Sequence, residues 1–168
     1  MDTLAARAAL AAGLPVHLVF PRGFRQEDGP ITPARRRALR GAALHELTSA
    51  EFGHRTWTCV GLADAVILID PAGGEGCQET IRAARRLGRP LLDLAASFEI
   101  PSPAGSPAPG TDVAAAVRDF IGHNKTQVLM IAGCRGSLLA SQNKTAEVEA
   151  CVAAIATVVL ECQDRLPG

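Results

Sequence analysis

The feature that most constrains the fold is an alternation. Short, nearly continuous apolar runs are separated by longer segments in which apolar residues recur at helical spacing. The runs are Val16–Phe20, Val66–Ile69, Leu91–Leu94 and Val128–Ala132, with a weaker one near Leu44–Leu47. A strand with one wet face alternates apolar and polar residues, so a run that is apolar almost throughout reads as a parallel strand covered on both faces. Helical patterns lie between the runs, at Asp2–Ala12, Pro33–Ala43, Ala50–Ala63, Gln78–Leu87 and Asp112–Ile121. The last helix, Thr145–Cys162, carries Val148, Val152, Ile155, Val159 and Cys162 at steps of 4, 3, 4 and 3, which gives it one apolar face. This alternation predicts an α/β fold with a mostly parallel sheet.

Gly13 followed by Pro15, and Gly88 followed by Pro90, punctuate two of the helices before the next strand. The segment 101–110 holds Pro101, Pro103, Gly105, Pro107, Pro109 and Gly110, too much Pro and Gly for a packed element, and is expected to be an exposed loop. It does not split the chain, because Val128–Ala132 and the last helix need the earlier sheet to cover their apolar faces. Residues 1–168 are therefore expected to form one domain. The opening fifteen residues look superficially like a signal peptide, but Asp2 and Arg7 interrupt them and Leu4, Ala5, Ala8, Ala11 and Ala12 form a helical stripe. Val152–Leu160, a largely apolar stretch that contains Thr157, is nine residues, against about twenty for a bilayer span. No membrane segment is expected.

Charge narrows the partners. Seventeen Lys and Arg balance seventeen Asp and Glu, so no long-range field draws the chain to nucleic acid or to an anionic membrane. Five Phe, one Trp and no Tyr leave little material for stacking bases. Two of the seventeen basic residues are Lys125 and Lys144, so 17 − 2 = 15 are Arg. That matches bidentate oxyanion recognition, although a coding bias toward Arg and Ala is the simpler explanation. The five cysteines, Cys59, Cys77, Cys134, Cys151 and Cys162, form no Cys-x-x-Cys pair and have no His at ligand spacing. A reduced, cytoplasmic protein without a structural metal is expected.

Two loops follow apolar strands directly. The first, Asp70 to Glu79, contains Gly73, Gly74, Gly76 and Cys77 and runs into a helix. Glycines let a backbone approach a ligand, and a helix start turns its partial positive charge on the same place. A glycine-rich turn serving only tight strand–helix packing would read the same way. The second loop is Gly133, Cys134, Arg135, Gly136 and Ser137, with two glycines, a guanidinium and a hydroxyl suited to an anion. A third group, Arg22 to Ile31, sets Arg22 and Arg25 beside Glu27 and Asp28, as a ligand-covering loop or a self-neutralising surface. Arg35, Arg36 and Arg37 read as a solvated helix face. Cys77 stands at a helix start, where a thiol is readily activated, but His17, His45, His54 and His123 show no triad spacing with a nucleophile. No catalytic residue is assigned.

These motifs occur in a recognisable order. Arg25-Gln26-Glu27-Asp28-Gly29-Pro30-Ile31 is followed by Arg55-Thr56 with Val60 and Asp64, then the Gly73–Gly76 loop, then Leu129 to Ser137. The chain in this respect resembles the molybdenum carrier family, a Rossmann-like group similar to the lysine decarboxylase-like nucleotide-binding proteins but circularly permuted. The resemblance covers nearly the whole chain. It implies a three-layer α/β/α fold and a phosphate-bearing small molecule, molybdenum cofactor or a nucleotide, as ligand. The implied ligand and phosphate set is Gly73, Gly74, Gly76, Cys77, Gly133, Arg135, Gly136 and Ser137, flanked by Asp2, Arg25, Glu27, Asp28 and Arg55. Members of the family usually begin with a short strand and a Gly-Gly-Gln-Thr-Gly loop before the Asp of the first helix. Here only Asp2 and the helix remain, so one loop and one strand are expected to be missing, through a misassigned start, a truncated chain or a natural loss of ligand binding; in the third case a self-pairing edge would make a homodimer.

The leading expectation is a carrier that is not an enzyme. The alternatives are a phosphoribohydrolase-like enzyme acting on nucleoside monophosphates with Glu79 or Glu75 as acid or base, and a ligand-sensing module. Against the enzyme, the position that the related phosphoribohydrolases fill with a catalytic Glu is Thr80 here.

Overall fold

The computed structural model describes residues 2–26, 29–70, 74–94, 110–133, 136–141 and 143–163. The chain order is α1 (Asp2–Ala11), β1 (His17–Phe20), β2 (Arg25–Gln26), β3 (Gly29–Pro30), α2 (Pro33–Ala38), β4 (Ala43–Glu46), α3 (Phe52–Leu62) and β5 (Ala65–Ile69). It continues with α4 (Glu75–Leu87), β6 (Leu91–Asp93), α5 (Gly110–Asn124), β7 (Leu129–Gly133), α6 (Gly136–Ser141) and α7 (Thr145–Gln163). All five apolar runs are strands, and each predicted helix is present.

β5 is the centre. All five of its residues are buried, as its unbroken apolar sequence requires, and β6 and β7 flank it in parallel. Against one face of this sheet, Ile67 and Ile69 meet Val113, Val117 and Ile121 of α5 and Val148, Val152 and Ile155 of α7 in one buried cluster, which α1 joins through Ala5. Against the other face, Val66 packs with Val60 of α3 and with Ala83 and Ala84 of α4. Helices on both sides of a parallel sheet make the α/β fold. Asp64 fixes the register at the amino end. Its Oδ2 accepts from the N–H groups of Val128 at 2.8 Å and Gln127 at 3.1 Å, just ahead of β7.

A second parallel pair, β1 with β4, forms its own ribbon, and β2 with β3 makes a two-residue antiparallel hairpin. Among the described residues no ladder joins β1 to β7, so each keeps one open edge.

Four details depart from the sequence reading. α2 ends at Ala38 rather than Ala43, because Gly41 takes φ +103 and the chain turns there to pair β4 with β1. α4 starts at Glu75, three residues before Gln78. Gly136 and Ser137, read as part of a loop, open the short helix α6. Arg35 and Arg36 are not merely solvated: Arg35 Nη1 donates to Gln26 Oε1 at 2.9 Å and the Arg36 guanidinium stands 4.6 Å from the Phe24 ring centroid, which together fasten α2 to the hairpin. The expected loop at 101–110 lies outside the described residues except for Gly110, which opens α5.

Candidate functional site

In an open parallel sheet, ligands gather beyond the carboxyl ends of the strands, where backbone N–H groups face outward. Here the register pairs Ile69, the last residue of β5, with Gly133, the last residue of β7. The two loops singled out in the sequence therefore leave the sheet side by side, from adjacent strands.

α4 begins beyond β5 with Gly74 as its N-cap and no side-chain cap. Cys77 and Gln78 send their N–H groups back to the Gly74 carbonyl, whereas the N–H groups of Glu75 and Gly76, ahead of them, have no acceptor within the helix by its geometry. Among the described residues, a Cβ added at Gly74 or at Gly76 would meet nothing within 4 Å, and neither residue has a positive φ. These glycines are thus required neither by crowding nor by backbone strain. What their missing side chains leave is open space around the amino end of a thirteen-residue helix, a setting suited to an anion.

The remaining sequence candidates are placed as follows. Cys77 has its side chain in the core at 2% exposure, packed in the cluster that holds Ile67 and Ile69, so burial withdraws the thiol that its position at the helix start suggested. Gly133 ends β7, and the backbones of Gly136 and Ser137 open α6. Asp2 is the first residue of α1. Gly73, Arg135, Glu27 and Asp28 lie outside the described residues. Arg25 and Arg55, distant in sequence, meet at one ring: their guanidinium carbons lie 5.9 Å and 6.0 Å from the Phe52 centroid at the start of α3. They form a second basic patch.

Of the two glutamates considered as an acid or base, Glu79 is engaged elsewhere. Its Oε1 accepts from Trp57 Nε1 at 2.6 Å and its Oε2 pairs with Arg82 at 2.5 Å.

Two features were not anticipated. Asp70 directly follows β5 at 8% exposure, and its Oδ1 has no hydrogen-bond partner. The available signal was an Asp terminating an otherwise apolar run. The other concerns His54. His54 Nδ1 lies 2.7 Å from Ser49 Oγ, and His54 Nε2 lies 3.4 Å from Glu51 Oε2. They line or adjoin a cavity of about 300 Å³ bounded by Leu47, Thr48, Ser49, His54, Trp57 and Thr58. Ser49 Oγ also accepts from the Glu51 N–H, and the His54 and Glu51 side chains are largely in water. The trio therefore organises the turn into α3.

A doubly covered parallel sheet with a glycine-headed helix at its carboxyl edge defines a Rossmann-like fold. The chain belongs to the circularly permutated YpsA SLOG family, whose model matches residues 1–155, in agreement with the permuted, Rossmann-like resemblance of its motifs. Among solved structures it is similar to one named "Putative molybdenum carrier protein" from Syntrophus aciditrophicus SB. That match has 21% identity, covers 92% of this chain and 85% of the other, and has a TM-score of 0.67. No curated protein matches. Among the described residues, no helix is long and apolar enough to cross a membrane.

Proposed function

We propose that this protein is a carrier for a phosphate-bearing small molecule, molybdenum cofactor or a nucleotide, held at the carboxyl edge of β5 and β7. The observation that carries the reading is the uncapped start of α4, open at Gly74 and Gly76, beside the paired strand ends Ile69 and Gly133. Gly73, Gly74, Gly76, Gly133, Arg135, Gly136 and Ser137 form the cradle, Cys77 contributes through the first turn of α4, and Asp2, Arg25, Glu27, Asp28 and Arg55 flank it. The name of the structural relative supports a molybdenum-related ligand. The uncapped start of α4 at Gly74 suits the oxyanion end of such a ligand. Hydrolysis through Glu79 is disfavoured by that carboxylate's bonds to Trp57 and Arg82.

Residues 1–168 form one domain that works in the cytoplasm, where the thiols of Cys151 and Cys162 remain reduced. The open edges of β1 and β7 support pairing between two copies. Calorimetry of the full chain against molybdopterin, AMP and molybdate tests the ligand, and native mass spectrometry counts subunits and shows any ligand that co-purifies. Saturable binding to one of the three is expected. Absence of binding to all three by folded protein removes the proposal.

A further inference from the structure

We propose that Asp70 holds a divalent hard cation, Mg²⁺ in the cell, which bridges the protein to the oxyanion of the bound ligand; this rests on the anion-binding function proposed for the same strand edge. The chemistry starts from a buried group without a partner. Asp70 is at 8% exposure, and among the described residues its Oδ1 accepts no hydrogen bond and no Lys, Arg or His makes an ion pair with it. Buried carboxylates are as a rule paired, hydrogen-bonded or bound to a metal, and one that is none of these implies a missing positive partner.

The surroundings say which kind. Asp70 stands four residues ahead of the Gly74 N-cap, at the carboxyl end of the central strand. Asp93, the last residue of β6, is in register with Leu68. Because side chains alternate along a strand, Asp93 and Asp70 fall on the same side of the sheet as diagonal neighbours. A carboxylate beside an anion cradle would repel the ligand that the cradle is built to take. A hard dication reverses that repulsion, and Mg²⁺ is ordinarily held by one or two carboxylates together with phosphate oxygens and waters rather than by a full protein cage. The cation is accordingly expected to bind with the ligand and only weakly without it.

The test is calorimetry of the full chain with molybdopterin, AMP and molybdate, each in excess MgCl₂ and in EDTA, on the natural protein and on Asp70→Asn. The natural protein should bind its ligand about tenfold tighter or more with Mg²⁺. In EDTA, Asp70→Asn should bind the ligand more tightly than the natural protein, because the charge that repels the ligand is gone; it should show no Mg²⁺ effect and should melt at a higher temperature when free of ligand. Water-proton relaxation with Mn²⁺ in place of Mg²⁺ reads the same complex on the natural protein, and should show bound Mn²⁺ only when ligand is present. Equal affinity in both buffers, an undiminished Mg²⁺ effect in Asp70→Asn, a lower melting temperature for that variant, or no ligand-dependent Mn²⁺ signal overturns the cation site and leaves the anion reading standing. No binding of any probe in either buffer removes the anion reading, and the cation site with it.

Discussion

The indole N–H of Trp57 donates to Glu79 Oε1 at 2.6 Å. Through this bond α3 and α4, which cover the same face of the sheet, are joined one turn beyond the glycine-headed start of α4. Glu79 thereby acts as a structural acceptor that helps fix where that helix start points.

Glu79→Ala should lower stability by about 1–2 kcal/mol, because it leaves a half-buried indole N–H without a partner. The Arg82 side of the pair, 64% exposed, adds little. In a double-mutant cycle by urea denaturation, Trp57→Phe and Glu79→Ala should couple, the second change costing less once the first is made. Additive costs would show that the bond contributes nothing.

Gly76 and Gly88 should respond oppositely to the same substitution. Gly76→Ala places a methyl in open space within α4 and should raise stability by about 0.5–1 kcal/mol. At the same time it should weaken phosphate binding about tenfold by narrowing the cradle. Gly88→Ala, at φ +65 in the left-handed cap of α4, should cost about 1 kcal/mol and leave binding unchanged. Thermal melts and calorimetry on both variants separate the two roles.

Acid should reveal the Asp64 clamp. The Val128 N–H, then the Gln127 N–H, with the Arg89 guanidinium adding, hold this carboxyl below its ordinary value of 3.8. A depressed folded value means that the contribution is complete above the unfolded value and is lost as pH falls through the folded one. In a series of urea midpoints from neutral pH to below 3.8, Asp64→Asn should start lower than the natural protein and decline less steeply. Parallel curves would refute the linkage.

Burial pushes the Cys151 thiol up to about 11, so at pH 8 only about one molecule in a thousand carries the reactive thiolate there. In the folded protein a disulfide reagent should leave Cys151 unlabelled, as read by peptide mapping, while the half-buried Cys59 and Cys162 label first. Urea should release Cys151. Fast native labelling of Cys151 would contradict its place in the core.

Much of this fold is legible in the amino-acid order. β5 stands out because a strand covered on both faces must be apolar at every position, and Gly88 marks the end of α4 because few residues but glycine accept its left-handed backbone. α2 reads five residues too long, since local spacing does not register that Ala43–Glu46 has a strand, β1, to pair with. The arginines of α2 give no local sign that Gln26 and the Phe24 ring lie within their reach, and nothing near His54 shows that Ser49 Oγ would turn toward it.

The sequence by itself determined the order of strands and helices, the two covered faces and the glycines after β5 and β7, because those follow from which side chains avoid water and which backbones bend. Only the tertiary structure decided that Ile69 and Gly133 end side by side, that Arg25 and Arg55 share the Phe52 ring, and that Asp70 is buried with an oxygen that accepts no hydrogen bond. Each of these joins segments far apart in the chain or depends on how they pack, and such contacts are set by strand register and helix packing, which no local pattern encodes.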